Sequence, residues 1–141
     1  MTTYDQIITS FIINCKVRRD LIPQDENILK EWIQNAIKMY NVKTKPYEES
    51  FNTPLSGDDS TEEIDKVLTD GELLVLSFIM KLVFLRNERI SFATKYAVFQ
   101  KEFGINNYNA QIKGKAALEE SVEMQIEKTI RDIRIPDWEV Y

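Results

Sequence analysis

The feature that most constrains this chain is an apolar strip at residues 73–85, in which only Ser77 and Lys81 are polar. Because these two residues lie four positions apart, a helix would place them on one narrow stripe and leave every other direction apolar. The strip has thirteen residues, whereas a helix that spans a membrane needs about 20. We therefore expect a central helix covered by protein on nearly all sides. A chain of 141 residues has few other helices to cover it, so part of the cover is expected from other copies or a partner, as in an assembly component.

Length and composition predict a single helical domain without the usual catalytic residues. The chain has 141 residues with four Gly and four Pro, which favours helices over a β fold with many turns. It has no His and one Cys, Cys15, which excludes Ser-His and Cys-His catalysis, intramolecular disulfides and thiolate zinc sites. The N-terminus lacks the basic region of a signal peptide. We expect a protein made in the cytosol, with no enzyme activity, no cofactor, no metal and no membrane association.

The negative charge is concentrated in one segment. Residues 43–70 hold eight acidic and three basic residues, which equals the whole net charge of −5. An acidic chain of this kind is not a nucleic-acid binder of the basic-patch type. Two prolines and the run Ser-Gly-Asp-Asp-Ser predict a loop over residues 43–60. Ser60 with Glu63 predicts a short capped helical turn after the loop.

Helical spacing and capping residues predict an all-α fold. The pairs Thr3 with Gln6 and Thr69 with Glu72 fit capping boxes, and Asn41 is the expected end of the second helix. The polar run 86–89 is expected to separate two helices. The predicted helices span residues 3–15, 24–41, 70–87, 90–103 and 110–133. We predict a small bundle of about four to five helices with a long acidic loop, a single domain over 1–134 and an extended C-terminal arm over 135–141.

Five carboxylates on the acidic loop form a candidate site: Asp58, Asp59, Glu62, Glu63 and Asp65. Carboxylate oxygens bind divalent cations, but the spacing here differs from that of an EF-hand loop. A solvated loop explains the run better, as does a charged surface with a function such as lining a passage for DNA. For a solvated loop we expect neutralisation of these carboxylates to change the melting temperature little, since exposed charges contribute little to stability.

The last predicted helix and the residues after it have the pattern of an interface. Val122, Ile126 and Ile130 lie on one narrow stripe among charged residues, which is typical of packing against one or two neighbours. Trp138 and Tyr141 follow a proline near the C-terminus, and large aromatic residues are frequent interface anchors. We expect the arm to dock on another protein. Docking on its own domain and incidental exposure are the alternatives.

The second half of the chain combines several features in a recognisable order. Residues 68–80 form an entry of the type Leu-Thr-Asp-x-Glu into an apolar helix. A link with Phe and Tyr follows at 99–103 and 108–111, and then a long charged helix to Ile133. Over residues 68–133 the chain resembles the head–tail connector, or neck adaptor, proteins of tailed bacteriophages.

The resemblance implies a structural protein of the virion neck, assembled in the host cytoplasm. It implies a homo-oligomeric ring, commonly of twelve copies, beneath the portal protein, with DNA passing through its centre without specific binding. It also implies a contact with the next neck or tail-completion protein. Carried over to this sequence, the contacts to the portal or a neighbouring subunit would come from Ile135, Trp138, Tyr141, Val122, Ile126 and Ile130. The channel or the next ring would be faced by Asp58, Asp59, Glu62, Glu63 and Asp65.

Two functions outside the virion are alternatives. An assembly chaperone would bind its partner transiently and be absent from mature particles. An acidic regulator that imitates DNA would need carboxylates over a broad face, whereas the acidic excess of this chain is confined to residues 43–70.

Overall fold

The computed structural model of the chain describes residues 1–17, 22–97 and 105–134. Its elements in chain order are α1 (Tyr4–Cys15), α2 (Glu26–Thr44), a short 3-10 helix (Lys45–Tyr47), β1 (Gly57–Asp58), β2 (Glu63–Ile64), α3 (Asp70–Ala97) and α4 (Ile105–Arg134). The two short strands form one antiparallel pair. The prediction of a small, mostly helical bundle is confirmed.

Helix α3 is the centre of the bundle, and α1, α2 and α4 all pack against it. Five side chains of the apolar strip are fully buried: Val75, Leu76, Ile79, Met80 and Leu82. The prediction of a covered central helix is confirmed. Its cover comes from three helices of the same chain, and four apolar residues of the strip remain partly exposed: Leu73, Leu74, Phe84 and Leu85. No helix within the described ranges is long and apolar enough to cross a lipid bilayer.

Helix α1 lies along α3 and runs in the same direction. The backbone N–H of Leu68, just before α3, donates to the hydroxyl of Thr2, just before α1, over 2.9 Å. Further along, the hydroxyl oxygens of Ser10 and Ser77 lie 2.9 Å apart. Helix α1 begins at the predicted capping box on Thr3, with both reciprocal hydrogen bonds present. These contacts fix the two helix starts at the same end of the bundle.

Helix α2 runs antiparallel to α3 and supplies the central aromatic ring of the core. The indole N–H of Trp32 donates to a backbone carbonyl of α3 over 3.0 Å. Its ring meets that of Phe11 of α1 edge-on at 5.0 Å between centroids and lies 6.1 Å from that of Phe84 of α3. Trp32 therefore joins three helices. At the other end of α2, the hydroxyl of Tyr40 reaches Glu72 in the first turn of α3.

Helix α2 continues beyond the end predicted at Asn41. The Asn41 amide instead bonds both backbone polar groups of Leu55, with its nitrogen 2.9 Å from the carbonyl oxygen and its oxygen 2.7 Å from the nitrogen. Because these bonds hold the loop against α2, Phe51 and Leu55 are buried. The segment predicted as a loop over 43–60 therefore starts as helix and adds apolar side chains to the core.

The helices predicted at 70–87 and 90–103 are one helix up to Ala97. Arg and Glu are good helix formers, so the polar run 86–89 does not break α3. It pairs with α4 instead, where Arg86 meets Glu123 at 2.7 Å and Arg89 meets Glu119 at 2.5 Å. Residues 98–104 lie outside the described residues. Helix α4 begins earlier than predicted and runs antiparallel to α3.

Substitution by alanine is expected to have opposite effects on stability at two glycines, Gly57 and Gly114. A Cβ on Gly57 would lie 2.7 Å from the hydroxyl oxygen of Tyr4 and 2.9 Å from a methyl of Ile37. A Cβ on Gly114, inside α4, would meet nothing within 4 Å. We expect Gly57→Ala to lower the free energy of unfolding by about 1–3 kcal/mol through overpacking, and Gly114→Ala to raise it by about 1 kcal/mol through helix propensity. Urea unfolding of both variants tests this pair, and an unchanged Gly57→Ala variant would contradict the tight packing of β1.

Candidate functional site

The predicted acidic site lies on a small hairpin, residues 57–65, which we call the acidic hairpin. Its two strands pair with each other, and β2 also pairs with the segment before α1. The backbone N–H of Tyr4 donates to the carbonyl of Glu62, and that of Ile64 donates to the carbonyl of Thr2, both over 2.8 Å. The prediction of a helical turn capped by Ser60 is wrong, because Glu63 and Ile64 form strand β2, which pairs with β1 and with the residues before α1.

Asp59 is the acid that ties the hairpin to the helices. One of its carboxylate oxygens accepts hydrogen bonds from the hydroxyl of Tyr4 at 2.7 Å and from the side-chain amide of Gln34 at 3.0 Å. The same amide nitrogen lies 2.9 Å from the carbonyl oxygen of Gly57. Bonds from Gln34 and Tyr4 hold the pKa of Asp59 below its ordinary value. Burial, followed by the bond to Asp59, raises the pKa of Tyr4.

The other predicted acids also make local contacts. Asp58 and Asp65 each accept a hydrogen bond from a loop backbone N–H, over 2.8 and 2.9 Å. Glu62 forms an ion pair with Lys30 of α2 at 3.4 Å, and Glu63 is half-buried. Four of the five acids, Asp58, Asp59, Glu62 and Asp65, are exposed as a solvated loop predicts, although each of them also has a partner in the chain. The structure gathers the five acids in one hairpin, but it directs them to separate partners, and within the described ranges no group of three His, Cys, Asp or Glu side chains could hold a metal ion.

A buried carboxylate at the start of α3 anchors the middle of the loop. The predicted capping box is present, since Glu72 accepts from the backbone N–H of Thr69 at 2.9 Å and donates its own N–H to the Thr69 hydroxyl at 3.2 Å. Glu72 is 2% exposed and also accepts from the hydroxyl of Tyr40 at 3.3 Å and from the side-chain amide of Asn52 at 3.0 Å. Burial, followed by the charge of Glu72, raises the pKa of Tyr40. The sequence predicted the cap but contained no signal for the partners Tyr40 and Asn52.

The residues predicted for an interface fall into two groups. Val122, Ile126 and Ile130 are buried in the core of the chain itself. Their assignment to a portal or a neighbouring subunit is therefore corrected, because α3 already occupies the stripe that they form. The aromatic arm residues Trp138 and Tyr141, together with Ile135, lie outside the described residues.

Comparison with known proteins identifies the family. Residues 1–134 match the family described as "YomZ prophage protein", over a span that ends where α4 ends. The chain belongs to the YomZ prophage protein family. A YomZ relative in Bacillus subtilis (strain 168), the "SPbeta prophage-derived uncharacterized protein YomZ", is 31% identical over 112 residues, which cover 79% of this chain and 80% of that protein. No solved structure matches the chain.

Membership of the YomZ family gives the chain a phage origin. The resemblance to phage connector proteins had implied such an origin. The matched span includes the acidic hairpin, Glu72 with its partners Tyr40 and Asn52, and all the helices described above.

The bonds to Asp59 predict a loss of stability in acid. Because folding lowers its pKa, Asp59 stabilises the fold above the ordinary pKa of an aspartate, about 3.9, and this contribution is lost as the pH falls through the folded value. We expect Asp59→Asn to flatten this part of the pH profile of the free energy of unfolding, measured by urea titrations between about pH 6 and pH 2. Glu49→Gln, an exposed position on the same loop, should keep the original profile. An unchanged acid profile in Asp59→Asn would show that the bonds to Tyr4 and Gln34 do not contribute.

Proposed function

We propose that this YomZ protein is a structural component of the phage neck, a head–tail connector that forms a ring beneath the portal. The observation that carries the proposal is the pair of helices α3 and α4. The described residues within 68–133, the range that carries the resemblance to connector proteins, include two long helices that pack against each other. The capped entry at Thr69 and Glu72 is formed as that resemblance expects.

The outer side of α4 and the segment after it are the best candidates for contacts with other subunits. Leu118 and Met124 on α4 are large apolar side chains exposed to solvent. Residues 135–141 continue directly from the last turn of α4 and include Ile135, Trp138 and Tyr141. Because aromatic anchors dominate many interfaces, we assign contacts with the portal or the neighbouring subunit to this surface rather than to the buried stripe of α4.

The acidic hairpin suits a surface that DNA passes without binding. Asp58 and Glu62 are exposed, as are Glu48 and Glu49 on the loop before the hairpin. Carboxylates repel the DNA backbone, and a ring with such a lining would not retain the polyanion. A ring of twelve copies would require a head-to-tail interface that closes, and its other side would meet the next neck or tail-completion protein.

An assembly chaperone of the same phage is the main alternative. A DNA mimic has less support, since Asp59 and Asp65 are occupied by hydrogen bonds from the same chain and are less available to imitate phosphates. The chaperone and the connector differ in one property, which is whether the protein remains in mature particles.

Particle composition is the test that separates connector from chaperone. After induction of the prophage, particles with packaged DNA are purified and digested, and peptides of this chain are quantified against those of the portal protein by mass spectrometry. We expect the two proteins in a fixed ratio close to one, as in rings of equal number. Its absence from tailed particles, with presence in assembly intermediates, would replace the connector by a chaperone.

Binding to the portal tests the surface that we assign. Light scattering should show purified chain of 16.6 kDa adding to portal rings. Truncation after Arg134 should abolish this addition while the circular dichroism spectrum stays helical. Val42→Glu, at an exposed apolar position on α2, is the matched control and should still bind. If the truncated chain bound as well as the full chain, the arm would have no part in the contact.

A further inference from the structure

A groove with a volume of about 910 Å³ lies beside the start of α3. The outer side of α1 forms its wall, and the first turns of α3, from Asp70 to Leu74, form its floor. We call it the α1–α3 groove. Three large apolar side chains on it stand far into solvent: Met1 is 71%, Ile13 68% and Val67 69% exposed. Apolar side chains gathered on one groove are typical of a surface that another segment covers.

The chain itself passes this groove as it leaves α4. Ile133, in the last turn of α4, has a methyl 3.0 Å from the position that a Cβ on Gly71 would take. Gly71 is part of the groove floor. Because α4 ends one residue later, at Arg134, residues 135–141 begin next to the groove.

The length of this segment matches the groove. Seven residues in extended conformation reach about 24 Å. The groove follows α1 from Thr2 to Asn14, a distance of about 18 Å at the rise of an α-helix. Pro136 cannot continue α4 as a regular helix and favours an extended Ile135 before it, which lets the chain turn away from the helix axis.

The chemistry of the segment also matches. In an extended segment, side chains alternate between two sides. Trp138 and Val140 then share one side, and Asp137 and Glu139 share the other with Ile135 and Tyr141. The side with Trp138 can face the groove while the two carboxylates point to solvent, away from Asp5 of the groove wall and Asp70 of its floor. The hydroxyls and carboxylate of that wall, which include Thr9, supply acceptors for an indole N–H.

We propose that the C-terminal segment 135–141 lies in the α1–α3 groove of its own chain, with Trp138 covering Ile13 and the exposed side of the groove floor. The contact goes beyond the proposed function and needs no portal. Only its consequence rests on the proposed function: a segment held in this way is withheld from the portal or neighbouring subunit until that partner competes for it, so free chains stay apart.

The test uses the full chain with 5-fluorotryptophan in place of its two tryptophans. Fluorine NMR then gives one resonance for Trp32 and one for Trp138, and the Trp138→Phe variant assigns them. A synthetic peptide of residues 135–141 gives the position of the exposed indole. We expect the Trp138 resonance to be displaced from the peptide position in the intact protein. It should move to the peptide position in Ile13→Glu and in Val67→Glu.

Met124→Glu is the matched control, since it replaces an exposed apolar side chain of α4 that does not line the groove, and it should leave the resonance in place. A Trp138 resonance at the peptide position in the unmodified sequence would overturn the proposal, as would one that neither groove variant moves. A displacement that disappears on dilution, with a mass above 16.6 kDa by light scattering, would assign the groove to the segment of a second copy and would also overturn it. These results are independent of particle composition, so the groove contact and the connector function can fail separately.

Discussion

The burial of the apolar strip of α3 is the constraint on which the rest of this bundle depends. A helix that is apolar in nearly every direction gains stability only when other elements remove it from water. Here α1, α2 and α4 each direct their apolar side to α3. Trp32 sits where α1 and α2 meet on this helix and fixes both by its ring contacts and its indole hydrogen bond. The order of elements around α3 thus follows from the need to cover it.

Carboxylates hold the ends of this arrangement. Asp59 joins the acidic hairpin to α1 and α2, Glu72 joins the loop and α2 to α3, and Glu119 joins α4 to two arginines of α3. Glu119 is 7% exposed, but its two arginine partners are each more than a third exposed, so water limits what these ion pairs add to stability. Some acidic residues of the chain therefore stabilise the fold. The electrostatic potential of the surface depends mainly on the exposed carboxylates that make no such bonds.

The sequence predicts the parts of the fold that local chemistry decides. The capping boxes at Thr3 and Thr69 involve residues three positions apart, and both form as expected. The apolar strip also requires burial whatever covers it. Local chemistry cannot predict the strand pairing of the hairpin with Thr2 and Tyr4, or the bond between Glu72 and Asn52, because the partners are distant in sequence. The same limit explains why the apolar stripe of α4 was assigned to the wrong partner. Its narrow spacing predicts packing against one neighbour, but it cannot show whether that neighbour is α3 or another subunit.

The polar side chains between α1 and α3 have a role that apolar packing could not fill. Ser77 donates its hydroxyl proton to the carbonyl of Leu73 at 2.7 Å, so it must accept from Ser10, which in turn accepts from the amide of Asn14. The hydrogen bonds therefore run in one direction, from Asn14 through Ser10 and Ser77 to the Leu73 carbonyl. They form only when α1 and α3 are in this alignment. A shift of α1 along α3 by one turn, about 5.4 Å, would preserve much of the apolar packing. It would leave the two serine hydroxyls without hydrogen-bond partners, which costs stability. The hydrogen bond between the two serines therefore fixes the position of α1 along α3. It thereby also fixes where the first residues of the chain meet the acidic hairpin.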